Sequence, residues 1–483
     1  MNLAVVALVG RIVLMFALMM LVPLAFAIVG DDSAKAAFGA GLGLTALGGL
    51  LLSTASRRVR RELQPRDGFL LVAMTWLVLP FFGSLPLLFA LPELSFTDAY
   101  FEAMSGFSAT GATVLTGLDS LPLSVNVWRC FLQYVGGLGI IVLVVAILPL
   151  LGVGGSQLYR TEITGPMKDQ KLTPRIADTA RGLWTVYFVM SLACFLAYRW
   201  AGMSWADAFM HMCTTMGLGG FSSHDASFGY WDSPLIEAVA VVFMLLAGVN
   251  FSLYFVAWRQ RSMGRLWGDV EVRAFYGVLL FSVALISVFL WAQEAYGSYG
   301  QALRHTVFNV VSVATTTGYA SNDYAQWPLF APLWMILLGC FATCAGSTGG
   351  GIKMIRMLLL VKQARREMVR ILHPNVVNPV VVGGRAVSEK VIQSVIAFMM
   401  IYGATLVTLT MVLLFSGMDV VTAFTAVIAC VNNIGPGLGD VGPSANYGGL
   451  TNFQTWVLTF AMMLGRLELL SVLVLFTPQF WRK

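Results

Sequence analysis

Ala314-Thr315-Thr316-Thr317-Gly318-Tyr319 is a run of small hydroxyl residues closing on a glycine and an aromatic. Relatives of it stand at Ser108-Ala109-Thr110-Gly111, Met216-Gly217-Leu218-Gly219-Gly220 and Asn432-Asn433-Ile434-Gly435. Distance from Phe209 selects Gly219 as the second member, and the glycines Gly111, Gly219, Gly318 and Gly435 then follow at intervals of 108, 99 and 117 residues. Phe101, Phe209 and Phe308 each precede their glycine by ten residues, and Phe424 precedes the fourth by eleven. A period near 100 residues, with one such segment per unit, is a fourfold internal repeat. Four glycine loops about one axis are what a cation filter requires, because carbonyl oxygens must replace the ion's water. Glycine lets the backbone turn those carbonyls inward through conformations that other residues avoid.

The rest of the chain supplies a membrane setting for those loops. It is 58% hydrophobic and 11% charged, with a mean hydropathy of +0.78, whereas a soluble protein carries about 25% charged residues. Ten apolar segments near 12–29, 36–56, 69–91, 130–151, 183–199, 236–257, 274–293, 329–361, 391–415 and 453–478 approach or exceed the length of a spanning helix, about 20 residues. The expected fold is an all-α polytopic membrane protein. Four pseudo-repeated helix–pore helix–filter loop–helix units surround one central pore, with two extra N-terminal transmembrane helices. The divisions are 1–66 for the N-terminal helices and 67–155, 156–265, 266–372 and 373–483 for the four units.

The net charge of +6 does not indicate a nucleic-acid partner. Twenty-four of the 30 Lys and Arg residues fall in 57–66, 160–181, 259–273, 353–390 and the pair Arg482-Lys483. With ten crossings these share one face, which the positive-inside rule makes cytoplasmic, with both termini on that side. Membrane lipid or an acidic cytosolic partner is their counterpart. The six cysteines lie in or beside apolar segments without metal-site spacing, and His211 and His305 read as hydrogen-bonded structural residues. Ala25-Phe26-Ala27 has the form of a signal-peptidase site behind a thin basic region. The glycine- and alanine-rich 36–56 suits close helix packing.

Each unit carries a short amphipathic stretch, at 97–109, 204–216, 300–315 and 419–432, opening near Thr97-Asp98, Ser204 or Asp419. Stretches of that length reach only about 18–24 Å and cannot cross. A half-helix ending on the loop turns its negative dipole end toward the axis, which favours a cation. Cytoplasmic linkers at 152–181, 258–273 and 362–390 separate the units. Asp119, Asp225, Asp323 and Asp440 follow the loops and would raise local cation concentration at an outer mouth.

Two glycine motifs are decoys for nucleotide binding. Gly437–Gly442 spells GxGxxG without a preceding strand, and Gly346-Ser347-Thr348-Gly349-Gly350-Gly351-Ile352-Lys353 lacks a GK[ST] ending. The second interrupts the apolar segment 329–361. A break there belongs beside a water-filled path, since unpaired backbone facing lipid is costly. Arg466 sits in the middle of the last apolar segment and is functional by default. Glu468, two positions on, faces elsewhere.

The four loops, the Gly346–Lys353 run, and Gly465-Arg466-Leu467-Glu468 before Leu475-Phe476-Thr477-Pro478 resemble the Trk/Ktr/HKT family of potassium transporters over nearly the whole chain. The two extra N-terminal helices make the chain more similar to the bacterial Trk subunits than to the Ktr ones. The resemblance implies a potassium translocation subunit in the bacterial cytoplasmic membrane, with no enzymatic activity and no covalent cofactor. Its potassium filter would comprise Thr110, Gly111, Leu218, Gly219, Gly220, Thr317, Gly318, Ile434 and Gly435. Its gate would comprise Gly346, Ser347, Thr348, Gly349, Gly350, Gly351, Lys353 and Arg466. The implied partners are potassium ions, a second copy in a homodimer, and a cytosolic nucleotide-binding ring of the TrkA type. Gly111 at the first filter position favours potassium over sodium. A proton- or sodium-coupled potassium symporter of the same architecture is the alternative, and Glu237 and Glu468 are its candidate buried carboxylates.

Overall fold

The computed structural model describes residues 3–54, 65–142, 176–262 and 264–482. Among these the regular secondary structure is helical apart from one hairpin, in which β1 (Val381–Val382) pairs antiparallel with β2 (Arg385–Ala386) around Gly383 and Gly384. Helices α1 (Leu3–Met19) and α2 (Leu21–Val29) form one apolar rod, and α3 (Lys35–Thr54) returns beside it. Glycine brings those backbones together: a Cβ on Gly10 would lie 2.9 Å from the Gly49 carbonyl oxygen. Phe26 of α2, within the signal-peptidase-like sequence, stacks on Phe209 with centroids 5.4 Å apart.

The remaining helices come in repeating sets. The first is α4 (Pro65–Ala90), short α5 (Phe96–Ser108) and α6 (Leu123–Val142). The second is α7 (Ile176–Trp200), short α8 (Trp205–Gly217), and the pair α9 (Pro234–Ala247) and α10 (Phe251–Arg259). After the small α11 (Gly264–Gly268) come α12 (Val270–Ala292), short α13 (Tyr299–Ala314), α14 (Phe330–Phe341) and α15 (Met354–Leu372). The last set is α16 (Glu389–Phe415), short α17 (Val420–Val431), α18 (Asn452–Arg466) and α19 (Leu469–Leu473), with α20 (Pro478–Trp481) at the end.

The short helices start where a side chain satisfies their free amides. Ser204 caps α8 and Asp419 caps α17, the residues expected from sequence. The cap of α5 is Ser95, two residues before Thr97. Ser95 and Ser204 each accept an amide hydrogen from the aspartate three residues on and donate to its carboxylate at 2.7 Å. That is one cap written twice, as a repeat predicts. Ser298 caps α13 by accepting from Gln301 N.

Ten straight crossings are not what the described residues contain. Six helices are long and apolar enough to span, and at most eight if two bent pairs each count as one. Segment 236–257 bends by 84° between α9 and α10, where the Asn250 side chain caps a new helix by accepting from Ser252 N. Segment 453–478 bends by 111° after α18, where Glu468 takes a φ of 55°. Segment 329–361 is broken between α14 and α15. Segment 130–151 begins earlier, at Leu123, and its end lies outside the described residues, as does linker 152–181 up to residue 175. Linker 362–390 is ordered as the end of α15 and the hairpin.

Candidate functional site

All four short helices end in the same backbone turn. A non-glycine residue enters the left-handed region (Ala109 at φ 52°, Leu218 at 51°, Thr316 at 60°, Asn433 at 55°), and two residues later a glycine also takes positive φ. Those glycines are Gly111, Gly220, Gly318 and Gly435, at φ 84°, 77°, 87° and 100°. Backbone register therefore places Gly220, not Gly219, as the counterpart of Gly111. The phenylalanine ruler fails for a physical reason. Phe101 and Phe308 are buried behind their loops, while Phe209 points outward onto Phe26 and Phe131, and buried Met210 takes the matching position.

The four turns close into a ring. A Cβ on Gly111 would lie 2.0 Å from the Gly219 carbonyl oxygen, and one on Gly220 1.9 Å from that of Thr317. A Cβ on Gly318 would lie 2.1 Å from the Ile434 oxygen, and one on Gly435 2.8 Å from that of Thr110. Every contact reaches the next unit in order, and the fourth returns to the first. Leu218 stands in the turn of the second unit, with its side chain buried. Above the ring lies a cavity of about 300 Å³ whose wall includes Gly111, Gly220, Gly318 and Gly435.

A polar side chain on each short helix braces the strand that leaves its loop. Glu102 accepts from Thr113 Oγ1 at 2.9 Å and from Val114 N at 3.0 Å. His211 Nε2 lies 3.1 Å from Ser222 Oγ, and Asn309 Nδ2 donates to Ser321 Oγ at 3.0 Å. Thr425 Oγ1 accepts from Leu438 N at 2.9 Å. Behind Glu102 stands Arg129, whose Nε is 2.7 Å from the carboxylate, in a fully buried ion pair. His305 Nδ1 lies 3.0 Å from Ser321 Oγ, so both short-helix histidines are hydrogen-bonded as expected. The four units are not identical in detail: Tyr447 Oη donates to the Gly435 carbonyl at 2.7 Å.

Directly beneath the ring, residues 342–353 interrupt the helix between α14 and α15. Gly350 N donates to Thr316 Oγ1 at 2.8 Å, and a Cβ on Gly350 would lie 2.0 Å from the Asn432 oxygen. Thr348 Oγ1 donates to the Met216 carbonyl at 3.0 Å, and Gly349 lies against Thr315. The loop thus touches the ends of α8, α13 and α17. Its own fold is fixed by Ser347 Oγ donating to Cys344 O, by Lys353 Nζ donating to Gly349 O, and by Thr343 Oγ1 donating to Gly350 O. Gly346 O accepts from Phe251 N at 3.1 Å, tying the loop to the bend between α9 and α10. Gly351 packs against the Cys340 carbonyl at the end of α14. Glu271 pins both sides of the break by accepting from Ala345 N at 2.7 Å and Ile355 N at 3.1 Å.

Arg466 reaches this loop from α18. Its Nη1 donates to the Thr348 carbonyl at 2.8 Å and its Nη2 to the Gly136 carbonyl of α6 at 3.4 Å. Among the described residues no carboxylate pairs with it. Glu468 faces away, as the spacing required, and binds Arg356 of α15 through both oxygens, at 2.9 and 3.0 Å.

At the cavity above the ring, Asp225 and His224 form part of the wall. Asp225 accepts from Leu118 N at 3.0 Å, and Asp119 binds His224 Nδ1. Asp323 instead caps its own turn by accepting from Ala325 N, and Asp440 is exposed. Burial on its own would lower the His224 pKa, but the Asp207 carboxylate 3.5 Å from Nε2 and the Asp119 carboxylate that accepts from Nδ1 hold it above the ordinary histidine value. Asp119, whose burial opposes ionisation, is nonetheless held below the usual carboxylate range by His224 and the Asp225 amide.

Several residues at this site escaped the sequence reading: Glu102, Arg129, Gln133, Glu271 and Arg356. A signal for two of them existed, because Arg129 and Gln133 recur with Asn126 at helical spacing at the head of an apolar helix. Glu271 gave none, standing beside Asp269 in a stretch that reads as a solvated helix start.

The model of a family described as TrkH, cation transport protein, matches residues 34–483. The Trk system potassium uptake protein TrkH of Halomonas elongata is 46% identical over 475 residues, 98% of each chain. That of Escherichia coli K12 is 43% identical over 481 residues, 99% of each. A crystal structure of the potassium transporter TrkH from Vibrio parahaemolyticus matches with a TM-score of 0.91 and 40% identity, covering 100% of both chains.

Proposed function

The chain belongs to the TrkH family of cation transport proteins, transporters and not enzymes, and from that premise we propose that it passes potassium ions across a bacterial cytoplasmic membrane through the ring of glycine loops. The observation that carries the reading is the closed contact of four positive-φ glycine turns under one cavity. Side chains are excluded there, so backbone oxygens are the groups that can strip water from an ion. The four short helices end on the ring, and their negative dipole ends favour a cation at its centre. The relatives' names as potassium uptake proteins support potassium as the ion.

In this reading the filter is Thr110, Gly111, Leu218, Gly219, Gly220, Thr317, Gly318, Ile434 and Gly435. The gate is the loop Gly346–Gly351 with Lys353 and Arg466, which fills the path under the ring. The four units are 67–155, 156–265, 266–372 and 373–483, following the two N-terminal helices. The protein works as a homodimer in lipid with both termini cytoplasmic, and a cytosolic nucleotide-binding ring of the TrkA type controls it. Buried Glu102, Glu237 and Glu271 are each taken up, by Arg129, by Arg304 or by loop amides. That favours a gated conduit over a proton-relay symporter.

Flux of rubidium or potassium into liposomes holding the purified protein, with and without excess sodium, tests the reading. Potassium-selective uptake is the expected result. Uptake that sodium matches ion for ion would remove the filter assignment.

A further inference from the structure

Gln133 of α6 belongs to the first unit, yet its side chain lies inside the loop of the second. It is fully buried. Its Nε2 donates to the Gly219 carbonyl at 2.7 Å, and its Oε1 accepts from Phe221 N at 3.1 Å. One planar amide therefore holds the two peptide groups on either side of Gly220.

That matters because of where those peptide groups point. Gly220 is the ring glycine of its unit, and a glycine lets its flanking peptides rotate at little cost. The peptide between Gly220 and Phe221 is trans, as are all those described, so its N–H and C=O point in opposite directions. With the Phe221 N–H aimed at Gln133, the Gly220 carbonyl is aimed away from α6. Gly220 lines the cavity above the ring, whereas Gln133 does not.

A second observation fits the same arrangement. The residue before the ring glycine carries a side chain in three units, Thr110, Thr317 and Ile434, and none in the second, where it is Gly219. A Cβ on Gly219 would lie 2.4 Å from Gln133 Cδ, so the amide fills the space where that side chain would stand. The fourth unit shows the inverse: Ile434 carries a side chain, and α14 presents Gly339 to it, with Ile434 Cδ1 2.6 Å from where a Cβ on Gly339 would lie.

We infer that Gln133 is a positioning residue for ion selectivity, fixing from the neighbouring unit the direction of the Gly220 carbonyl. The inference rests on the filter reading above. It distinguishes the second loop from the others, because there the orientation is set by a side chain outside the unit.

Gln133→Met keeps the volume and removes both hydrogen bonds, and Gln133→Glu keeps the acceptor for Phe221 N and removes the donor to Gly219 O. Potassium and sodium uptake into liposomes would be measured for both, beside Gly318→Ser as the filter control, with melting temperature on the same preparations. The expected result for Gln133→Met is a fall of about fivefold in the potassium-to-sodium uptake ratio, the worth of one net hydrogen bond. Gln133→Glu should also lower the ratio. A packing role alone would change melting temperature or total uptake and leave the ratio intact. If Gly318→Ser lowers the ratio and both Gln133 variants keep it, Gln133 is a space-filler and the inference is overturned. If Gly318→Ser keeps the ratio as well, the filter reading falls and the inference with it. Should Gln133→Met not fold, the ratio in Gln133→Glu decides.

Discussion

Two of the guanidinium nitrogens of Arg466 donate to carbonyls on different elements, Thr348 on the interrupting loop and Gly136 on α6. A charge placed about 4 Å from a passing cation costs it roughly 4 kcal/mol at an effective dielectric of 20. In the proposed gate the arginine would also hold the loop in the path through its bond to Thr348, so both effects would restrain flux. Arg466→Ala and Arg466→Gln are expected to raise basal rubidium uptake, and Arg466→Lys, which keeps charge without the planar fork, to give a smaller rise. A destabilised Arg466→Ala protein that leaks no faster would assign the residue to folding alone. His224 carries a prediction of opposite texture, in pH. Its pKa is raised by Asp207 and Asp119 against the opposing effect of burial, so the link it makes between the first and second units is complete below the ordinary histidine value of about 6.5 and fades as pH rises through the raised value. The lowered Asp119 adds the other limit: its share is lost as pH falls below the normal carboxylate range. Melting temperature should therefore fall as pH is taken from mildly acid to alkaline, and His224→Gln should flatten that slope. An unchanged slope in the variant would place the titration elsewhere. The single-residue register of the second loop was the least legible feature in sequence. Gly217, Gly219 and Gly220 all allow positive φ, and only the backbone itself shows which of them takes it.

At the scale of elements, the short helices were readable because their physics is local. Serine or aspartate caps, thirteen or so residues, and a glycine turn are all written in neighbouring positions. The bends of 84° and 111° were not. Apolar composition is indifferent to direction, and the deciding contacts, such as Phe251 N to Gly346 O, join residues about a hundred positions apart. The interrupting loop was visible as a glycine run, but its fastening to Glu271 depends on tertiary packing. Gly350 offers a direct test of it as a plug. A methyl group there meets the Asn432 oxygen at 2.0 Å, far inside van der Waals contact, so Gly350→Ala must push the loop from beneath the ring. Basal uptake should rise several-fold, and deletion of Ser347–Gly350 should raise it further. Unaltered uptake in folded, membrane-inserted protein would take this loop out of the permeation path.

Across the whole molecule, charge is sorted by depth. The buried pair Glu102–Arg129 supports two units at once, since Arg129 also reaches the Ser222 carbonyl at 3.3 Å. Removing one partner leaves an uncompensated buried charge, an effect of about 3–5 kcal/mol. Glu102→Gln should accordingly lower thermal stability far more than any exposed charge change, which a melting curve in detergent would read. The expected docking charges divide: Arg366 is buried against Glu389, whereas Arg365 is exposed. Charge reversal at Arg365 should thus weaken a nucleotide response transmitted by a bound ring and leave basal uptake intact. A full response would hand that arginine to lipid head groups. Fold class and the location of the ring were plain in the sequence because composition and repetition are global properties. The seams between units were not, because each is built from side chains that one unit lends to the next.

The ring's closure has a consequence for how the protein is made. Asn433 Nδ2 donates to Thr110 Oγ1 at 2.8 Å, joining residues 323 positions apart. A ribosome that has delivered the first loop must deliver the other three before that loop meets its last neighbour. Until then a polar turn with its carbonyls unsatisfied waits within the bilayer, where such groups are costly. An assembly that stalls before Asn433 is therefore an open arc, and on the proposed reading an open arc is no filter.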